Sequence, residues 1–99
     1  MRNEFNHELE ELGALLTEMA GAAENAIDVV TASLTDPNRE AADQALAITK
    51  NMDRMERDIE NRCLKLLLRQ QPVAHDLRTI SAALKMVTDL QRIGDQCAN

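Results

Sequence analysis

Apolar residues recur at alternating spacings of four and three along most of this chain, and this feature limits the possible folds more than any other. Such spacing places an apolar stripe on each of several long α-helices that pack at a shallow crossing angle. No stretch alternates with a period of two, so we predict no β-strand. The stripe residues in the three successive segments are Phe5, Leu9, Leu12, Leu16, Met19, Ala23, Ala26 and Val30; Ala41, Ala45, Ile48, Met52, Met55, Ile59 and Cys63; and Leu77, Ile80, Leu84 and Val87.

Two breaks that contain proline separate three predicted helices. At the first break we expect Asp36 to be the N-cap of the second helix and Pro37 to take its first helical position. Pro72, which follows Gln71, makes the second break because it has no N–H group to donate within a helix. The predicted helices span about 4–34, 37–69 and 73–99. Because both connections are short, we predict an all-α, up-down-up three-helix bundle that forms a single domain over residues 1–99.

The third helix carries a second apolar stripe, offset from the first. A helix that is apolar over most of its circumference needs more neighbours than the two that a three-helix bundle provides. The pattern also continues to Asn99 without a capping glycine. We therefore expect the rest of a longer protein, or a further copy of the chain, to cover this stripe. Its residues are Ala83, Met86, Leu90, Ile93 and Cys97.

Composition excludes several classes of protein. Eleven basic and seventeen acidic residues give a formal net charge of -6, which disfavours binding to nucleic acid. Phe5 is the only aromatic residue, and no apolar run is long enough to span a membrane. The N-terminal residues lack a basic and then apolar signal, so we expect a cytoplasmic protein. We interpret Cys63 and Cys97, which lie in apolar stripes, as packing residues.

Four polar residues are predicted to lie at one level of the second and third helices. Thr49 and Asp53 precede the break at Gln71 by nearly the same stretch of chain by which Gln91 and Asp95 follow it. In antiparallel helices of equal rise these positions come side by side. The group fits either a hydrogen-bonded polar network or a metal site that uses carboxylate oxygens.

Two further patterns suggest functions of other classes. His7, followed by Glu8, resembles the phosphoacceptor segment of histidine-kinase dimerisation domains, which would make the chain a phosphorelay module. Carboxylates on one helix face at Glu56 and Glu60, and at Glu24 and Asp28, fit either a solvated surface or a metal-binding bundle. No Ser/His/Asp or Cys/His pair and no glycine-rich loop is placed for catalysis, so we predict that the chain is not an enzyme.

Two segments resemble the signature of the PhoU family, bacterial regulators of phosphate uptake. Residues 62–78 read RCLKLLLRQQPVAHDLR, and residues 89–95 read DLQRIGD, where the family has DLERIGD. The resemblance extends over all 99 residues and includes the opening residues MRNEF. It implies an all-α protein of two tandem three-helix repeats, of which this chain corresponds to the first.

The resemblance also implies a function and partners. PhoU proteins are cytoplasmic, non-enzymatic negative regulators of phosphate uptake and of the phosphate-starvation response. Their partners are the ATPase subunit of the phosphate ABC transporter and its sensor histidine kinase, and through these they reach the membrane. They are usually oligomeric, so a homodimer or larger homo-oligomer is implied here.

The family's metal motif is altered in this sequence. Some PhoU proteins bind iron or zinc through acidic-x-x-x-Asp motifs, which correspond here to Thr49-x-x-x-Asp53 and Gln91-x-x-x-Asp95. Asp53 and Asp95 are retained as candidate ligands, but neutral Thr49 and Gln91 replace two carboxylates and weaken the predicted site.

An acidic helical face is the candidate surface for binding partners. We expect Glu56 and Glu60, together with Glu8 and Glu11, to form it. Charges at the rim of an interface set the rate and specificity of association.

Overall fold

The predicted helical bundle is present. A computed structural model describes residues 2–69 and 74–98, which form helices α1 (Arg2–Thr35), α2 (Arg39–Arg69) and α3 (Ala74–Ala98). Each helix packs against the other two, and the described residues contain no strand. At about 1.5 Å per residue α1 is about 51 Å long, which matches the 52 Å long axis of the molecule. The fold is therefore an all-α three-helix bundle in the shape of a rod.

The connection between α1 and α2 differs from the prediction in its capping residue. The side-chain Oδ1 of Asn38 accepts a hydrogen bond from the backbone N–H of Ala41 at 2.7 Å, so Asn38 is the N-cap and α2 begins at Arg39. The predicted N-cap, Asp36, instead donates its backbone N–H to the carbonyl oxygen of Ala32 at 3.2 Å and closes the last turn of α1. Pro37 lies between the two helices rather than in the first turn of α2. The second predicted break, at Gln71 and Pro72, lies outside the described residues.

The stripes predicted for α1 and α2 form the core. Their residues are buried or partly buried, and the buried stripe of α2 continues one step past Cys63 to Leu66. The largest side chains that are fully buried in this core are Phe5, Leu12, Met19, Met52, Ile59, Leu66, Ile80 and Val87.

The core face of α3 is rotated from the predicted stripe. Leu77, predicted in the core, is 43% exposed, whereas its neighbour Asp76 is 2% exposed. Ala83, which we assigned to the second stripe, is buried together with Ile80 and Val87. The face that packs on the other helices therefore lies between the two predicted stripes.

Most of the second stripe is covered by the bundle itself. Leu90 and Ile93 pack against the core, Cys97 is half-buried, and only Met86 among the five stripe residues is largely exposed, at 50%. The helices α1 and α2 therefore cover part of this stripe, and the expectation that a longer protein or a further copy covers the rest stays a prediction.

Candidate functional site

The polar residues predicted at one level meet between α2 and α3. The side-chain amide Nε2 of Gln91 on α3 donates hydrogen bonds to Oδ1 of Asp53 on α2 and, at 3.2 Å, to Oδ1 of Asp95 one turn further along α3. Its amide oxygen, Oε1, is buried and accepts no hydrogen bond from the described residues. One neutral amide group therefore bridges two carboxylates on neighbouring helices.

Thr49, the fourth residue of this level, does not join the bridge. Its hydroxyl group donates to the backbone carbonyl of Leu46 at 2.8 Å, and its side chain is buried. Hydroxyl groups of threonines within helices commonly make this bond to the preceding turn. Thr49 therefore packs at the helix interface and presents no oxygen to Asp53 or Gln91.

The two helices come close together beside the bridge. Gly94 on α3 is buried, and a Cβ atom at this position would lie 3.0 Å from the sulfur and 3.2 Å from Cε of Met52. The methyl group of Thr49 would be 3.8 Å away. The missing side chain of Gly94 thus makes room for Met52 and sets the distance between α2 and α3 at this level.

The carboxylates near the bridge influence one another. Burial raises the pKa of Glu56 above its ordinary value of 4.5, and the negative charges of Glu60, Asp53 and Asp95 raise the pKa further, while Arg57 opposes the shift. Glu56 and Glu60 thus lie on the flank of α2 that faces Asp95. We call the surface between α2 and α3 that carries these carboxylates the α2–α3 groove.

The donor set of this groove fits a hydrogen-bonded network better than a metal centre. Iron and zinc clusters depend on several anionic ligands, whereas Gln91 places an N–H group against each of the two aspartates. The described residues contain no group of three or more His, Cys, Asp and Glu side chains arranged to hold a metal ion. The residues present therefore do not fit the iron or zinc cluster that the family resemblance implies.

The predicted acidic face is divided between two sides of α2. Glu11 on α1 accepts a hydrogen bond from Arg62 at 3.1 Å, and Arg62 also binds Asp58 at 3.1 Å. These bonds raise the pKa of the Arg62 guanidinium. At about 100° per residue, Asp58 and Arg62 lie on the flank of α2 opposite Glu56 and Glu60. The expectation that Glu8 and Glu11 share one surface with Glu56 and Glu60 is therefore wrong.

His7 and Cys63 do not belong to the α2–α3 groove. His7 is exposed, and its Nε2 lies 3.4 Å from Oε1 of Glu11, one turn further along α1. Cys63 is buried, which raises the pKa of its thiol, as does the charge of Glu60. A buried thiol of raised pKa is a packing residue rather than a nucleophile.

Sequence reasoning missed an exposed set of leucines at the end of the α2–α3 groove. In the run of residues 64–68 only Leu66 is buried, while Leu64, Leu67 and Leu68 are 53%, 37% and 77% exposed. The signal was the number of leucines in this run, which exceeds what one core-facing stripe of a helix can bury.

These observations define a class of protein: a rod-shaped antiparallel helical bundle that carries acidic and apolar side chains on its surface. In the part of the chain that the structure describes, no helix has an apolar stretch long enough to cross a membrane. The sequence matches the PhoU domain family over residues 16–99, and the chain belongs to that family.

Curated relatives share this assignment. The chain is 38% identical over 95 residues to the "Phosphate-specific transport system accessory protein PhoU homolog" of Pseudomonas aeruginosa, covering 96% of this chain and 39% of that protein. The proteins of the same name from Aquifex aeolicus and Clostridium acetobutylicum are 39% and 36% identical, over 93% and 99% of this chain and 42% and 45% of their own lengths. The chain thus spans about two fifths of the length of these relatives. No solved structure gave a significant match.

Proposed function

We propose that this chain belongs to an accessory protein of phosphate-specific transport, which restrains phosphate uptake and represses the phosphate-starvation response. The observation that carries the proposal is the family match over residues 16–99 together with relatives named as accessory proteins of that transport system. The resemblance to PhoU proteins is the reason for proposing that the regulation is negative and that the protein is cytoplasmic.

The proposed action is by contact with other proteins and not by catalysis. The most distinctive polar group of the bundle, the amide of Gln91, is engaged with two carboxylates of the chain itself. The surface, in contrast, offers charged and apolar side chains to a partner. We propose the ATPase subunit of the phosphate ABC transporter and its sensor histidine kinase as these partners, through which the chain reaches the membrane.

The domain organisation and assembly implied by the resemblance stay predictions. A three-helix bundle that spans about two fifths of its relatives fits one of two tandem repeats. Sequencing the gene beyond the codon for Asn99 tests this prediction, since a second three-helix pattern should follow. The implied homo-oligomer is tested by light scattering on the purified chain.

The proposed function is tested in the bacterium that carries the gene. Deleting the gene should switch on phosphate-starvation genes in phosphate-replete medium and increase phosphate uptake. We would measure a starvation-promoter reporter and the uptake of radiolabelled phosphate. Reintroducing the gene should restore repression, and a deletion strain that represses normally would contradict the proposed function.

Glu56 and Glu60 are the proposed contacts for a partner. Exchanging both for lysine reverses two charges in the α2–α3 groove and should weaken capture of the ATPase subunit or the kinase. The matched control exchanges Glu24 and Asp28, which have the same i, i+4 spacing and lie exposed on α1. Equal capture by both variants and by the unaltered chain would remove these glutamates from the interface.

A further inference from the structure

The α2–α3 groove is apolar at one end. Leu64 and Leu67 on α2 and Leu77 on α3 are 53%, 37% and 43% exposed, although large apolar side chains are normally buried in the core. On α2, Leu64 and Leu67 lie within about 40° of the direction of Asp53 around the helix axis. On α3, Leu77 and Asp95 are separated by about five full turns, so both lie on one flank. We call this end, formed by Leu64, Leu67 and Leu77, the leucine half.

The groove is strongly acidic at its other end. Asp53, Glu56 and Glu60 on α2 and Asp95 on α3 bring four carboxylates to one surface. Burial is the largest cause of the raised pKa of Glu56, and the negative charges of the other three residues raise this pKa further. We call these four residues the acidic half. Arg57 opposes the shift at Glu56 but does not reverse it. A ligand that brings positive charge would relieve this repulsion.

The two halves follow one another along a straight path. Asp53 and Leu67 belong to one continuous helix, and at 1.5 Å per residue they lie about 21 Å apart along its axis. A helix of about 15 residues has the same length. Such a helix would lay its side chains at i, i+3, i+4 and i+7 along the groove, as amphipathic helices do in other helical grooves.

We infer that the α2–α3 groove binds an amphipathic helix of a partner protein whose apolar face carries lysine or arginine at one end and leucine-like residues at the other. This inference deepens the proposed function, on which it rests, because it names the surface and the chemistry of the partner. The acidic half receives the basic residues and the leucine half receives the apolar ones. The arrangement of the two halves also fixes the direction in which the helix lies.

Charge argues for this occupant over two others. A second copy of the chain, docked through the same groove, would place its own four carboxylates either against the acidic half, where like charges repel, or against the leucine half, where the carboxylates would lose their hydration. An anionic membrane surface would be repelled by the same carboxylates and by the net charge of -6. A basic, amphipathic helix complements both halves at once.

The inference is tested with a peptide probe and the purified chain. The probe is a fluorescent helical peptide of about 15 residues, with three lysines in the first half of one face and three leucines in the second half. A peptide of the same composition in scrambled order is its control. We expect Glu56→Gln with Glu60→Gln to weaken binding of the probe by about tenfold, and Leu64→Ser to weaken it by at least about threefold, as measured by fluorescence anisotropy.

Matched variants separate docking in the groove from general attraction. Glu24→Gln with Asp28→Asn removes the same charge from α1, and Leu34→Ser alters a leucine that is 77% exposed elsewhere on α1. Both should leave the affinity within about twofold. The inference is overturned if these controls weaken binding as much as the groove variants, or if the scrambled peptide binds equally well. It is also overturned if Leu64→Ser abolishes self-association of the chain while the probe does not bind, which would identify a second copy as the occupant.

The outcome of the peptide-binding experiment is independent of the outcome of the gene deletion in the bacterium. If the groove variants bind the probe as tightly as the unaltered chain does, the docking surface is refuted, even if the deletion strain shows derepression. Normal repression in the deletion strain refutes the proposed function even if the probe binds in the groove.

Discussion

Gly94 allows α3 to pack directly against Met52 on α2, and substitutions of this glycine should be costly. A Cβ at Gly94 meets the thioether of Met52, a side chain that is 0% exposed and has little room to move. We expect Gly94→Val to lower the free energy of unfolding by about 1–3 kcal/mol, as overpacking does in cores. Gly21, in contrast, has nothing within 4 Å of an added Cβ, so Gly21→Ala should stabilise the chain by up to about 1 kcal/mol through helix propensity. Urea unfolding of both variants measures the difference, and a Gly94→Val protein as stable as the unaltered chain would contradict the close approach.

The raised pKa of Glu56 makes its contribution to stability depend on pH. Burial is the main cause, followed by the charges of Glu60, Asp53 and Asp95. Because the folded state holds the proton more tightly than the unfolded state, this contribution is fully present below pH 4.5 and is lost as the pH rises through the raised value. Glu56→Gln should therefore stabilise the chain at neutral pH, by less than about 1 kcal/mol, and the gain should disappear on acidification. Unfolding of this variant and of the exposed control Glu24→Gln, measured from mildly acidic to neutral pH, checks the sign; a gain that grows as the pH falls would contradict it.

At the scale of the helix, the start of α2 depends on one side chain. Asn38 accepts the backbone N–H of Ala41 at 2.7 Å, and removing an N-cap of this kind costs about 1 kcal/mol. We expect Asn38→Ala to lower the free energy of unfolding by that amount, while Asp36→Ala, which leaves this cap intact, should cost less. Denaturation monitored by circular dichroism tests the pair, and an equal or larger loss for Asp36→Ala would return the cap to the residue that the sequence pattern favoured.

Helix periodicity predicted α1 and α2 well and α3 less well. The stripe from Phe5 to Val30 is buried or partly buried throughout, because α1 has one dominant apolar face. On α3 the two apolar stripes overlap, so the spacing does not single out one core face. The small residues Ala83 and Gly94 contribute little to an apolar pattern although they lie where the helices touch. Periodicity therefore assigned Leu77 to the core and overlooked the face between the stripes.

The sequence predicts the position of the candidate site along the bundle, but not which hydrogen bonds form there. Equal rise along antiparallel helices placed Asp53, Gln91 and Asp95 side by side, as the hydrogen bonds show. Spacing cannot tell which way a side chain turns, and the hydroxyl of Thr49 turns back to its own helix. It also cannot separate the two flanks of α2 unless the core direction is known, which is why Glu8 and Glu11 were grouped with Glu56 and Glu60.

At the scale of the whole molecule, the bundle is a rod of 52 × 18 × 15 Å with a Cα radius of gyration of 15.9 Å. A compact, nearly spherical domain with the same number of residues would have a radius of gyration of about 13 Å. Small-angle X-ray scattering of the monomer should therefore give a radius close to that of the rod, and a value as small as that of the sphere would contradict three fully extended helices. The forward scattering divided by the protein concentration reports the molecular mass, so a doubling of this quantity at high concentration would show the implied homodimer. The longest dimension of the particle would then distinguish side-by-side from end-to-end association.

The contact between Met52 and Gly94 has a consequence for oxidation. The sulfur of Met52 occupies the space that a side chain at residue 94 would fill, so a sulfoxide oxygen there would have no room and would add a polar group to the core. Met86 is half exposed and can take the same oxygen at the surface without moving a helix. Oxidants should therefore reach Met86 before Met52, and oxidation of Met52 would force α3 away from α2 at the level where Gln91 joins them.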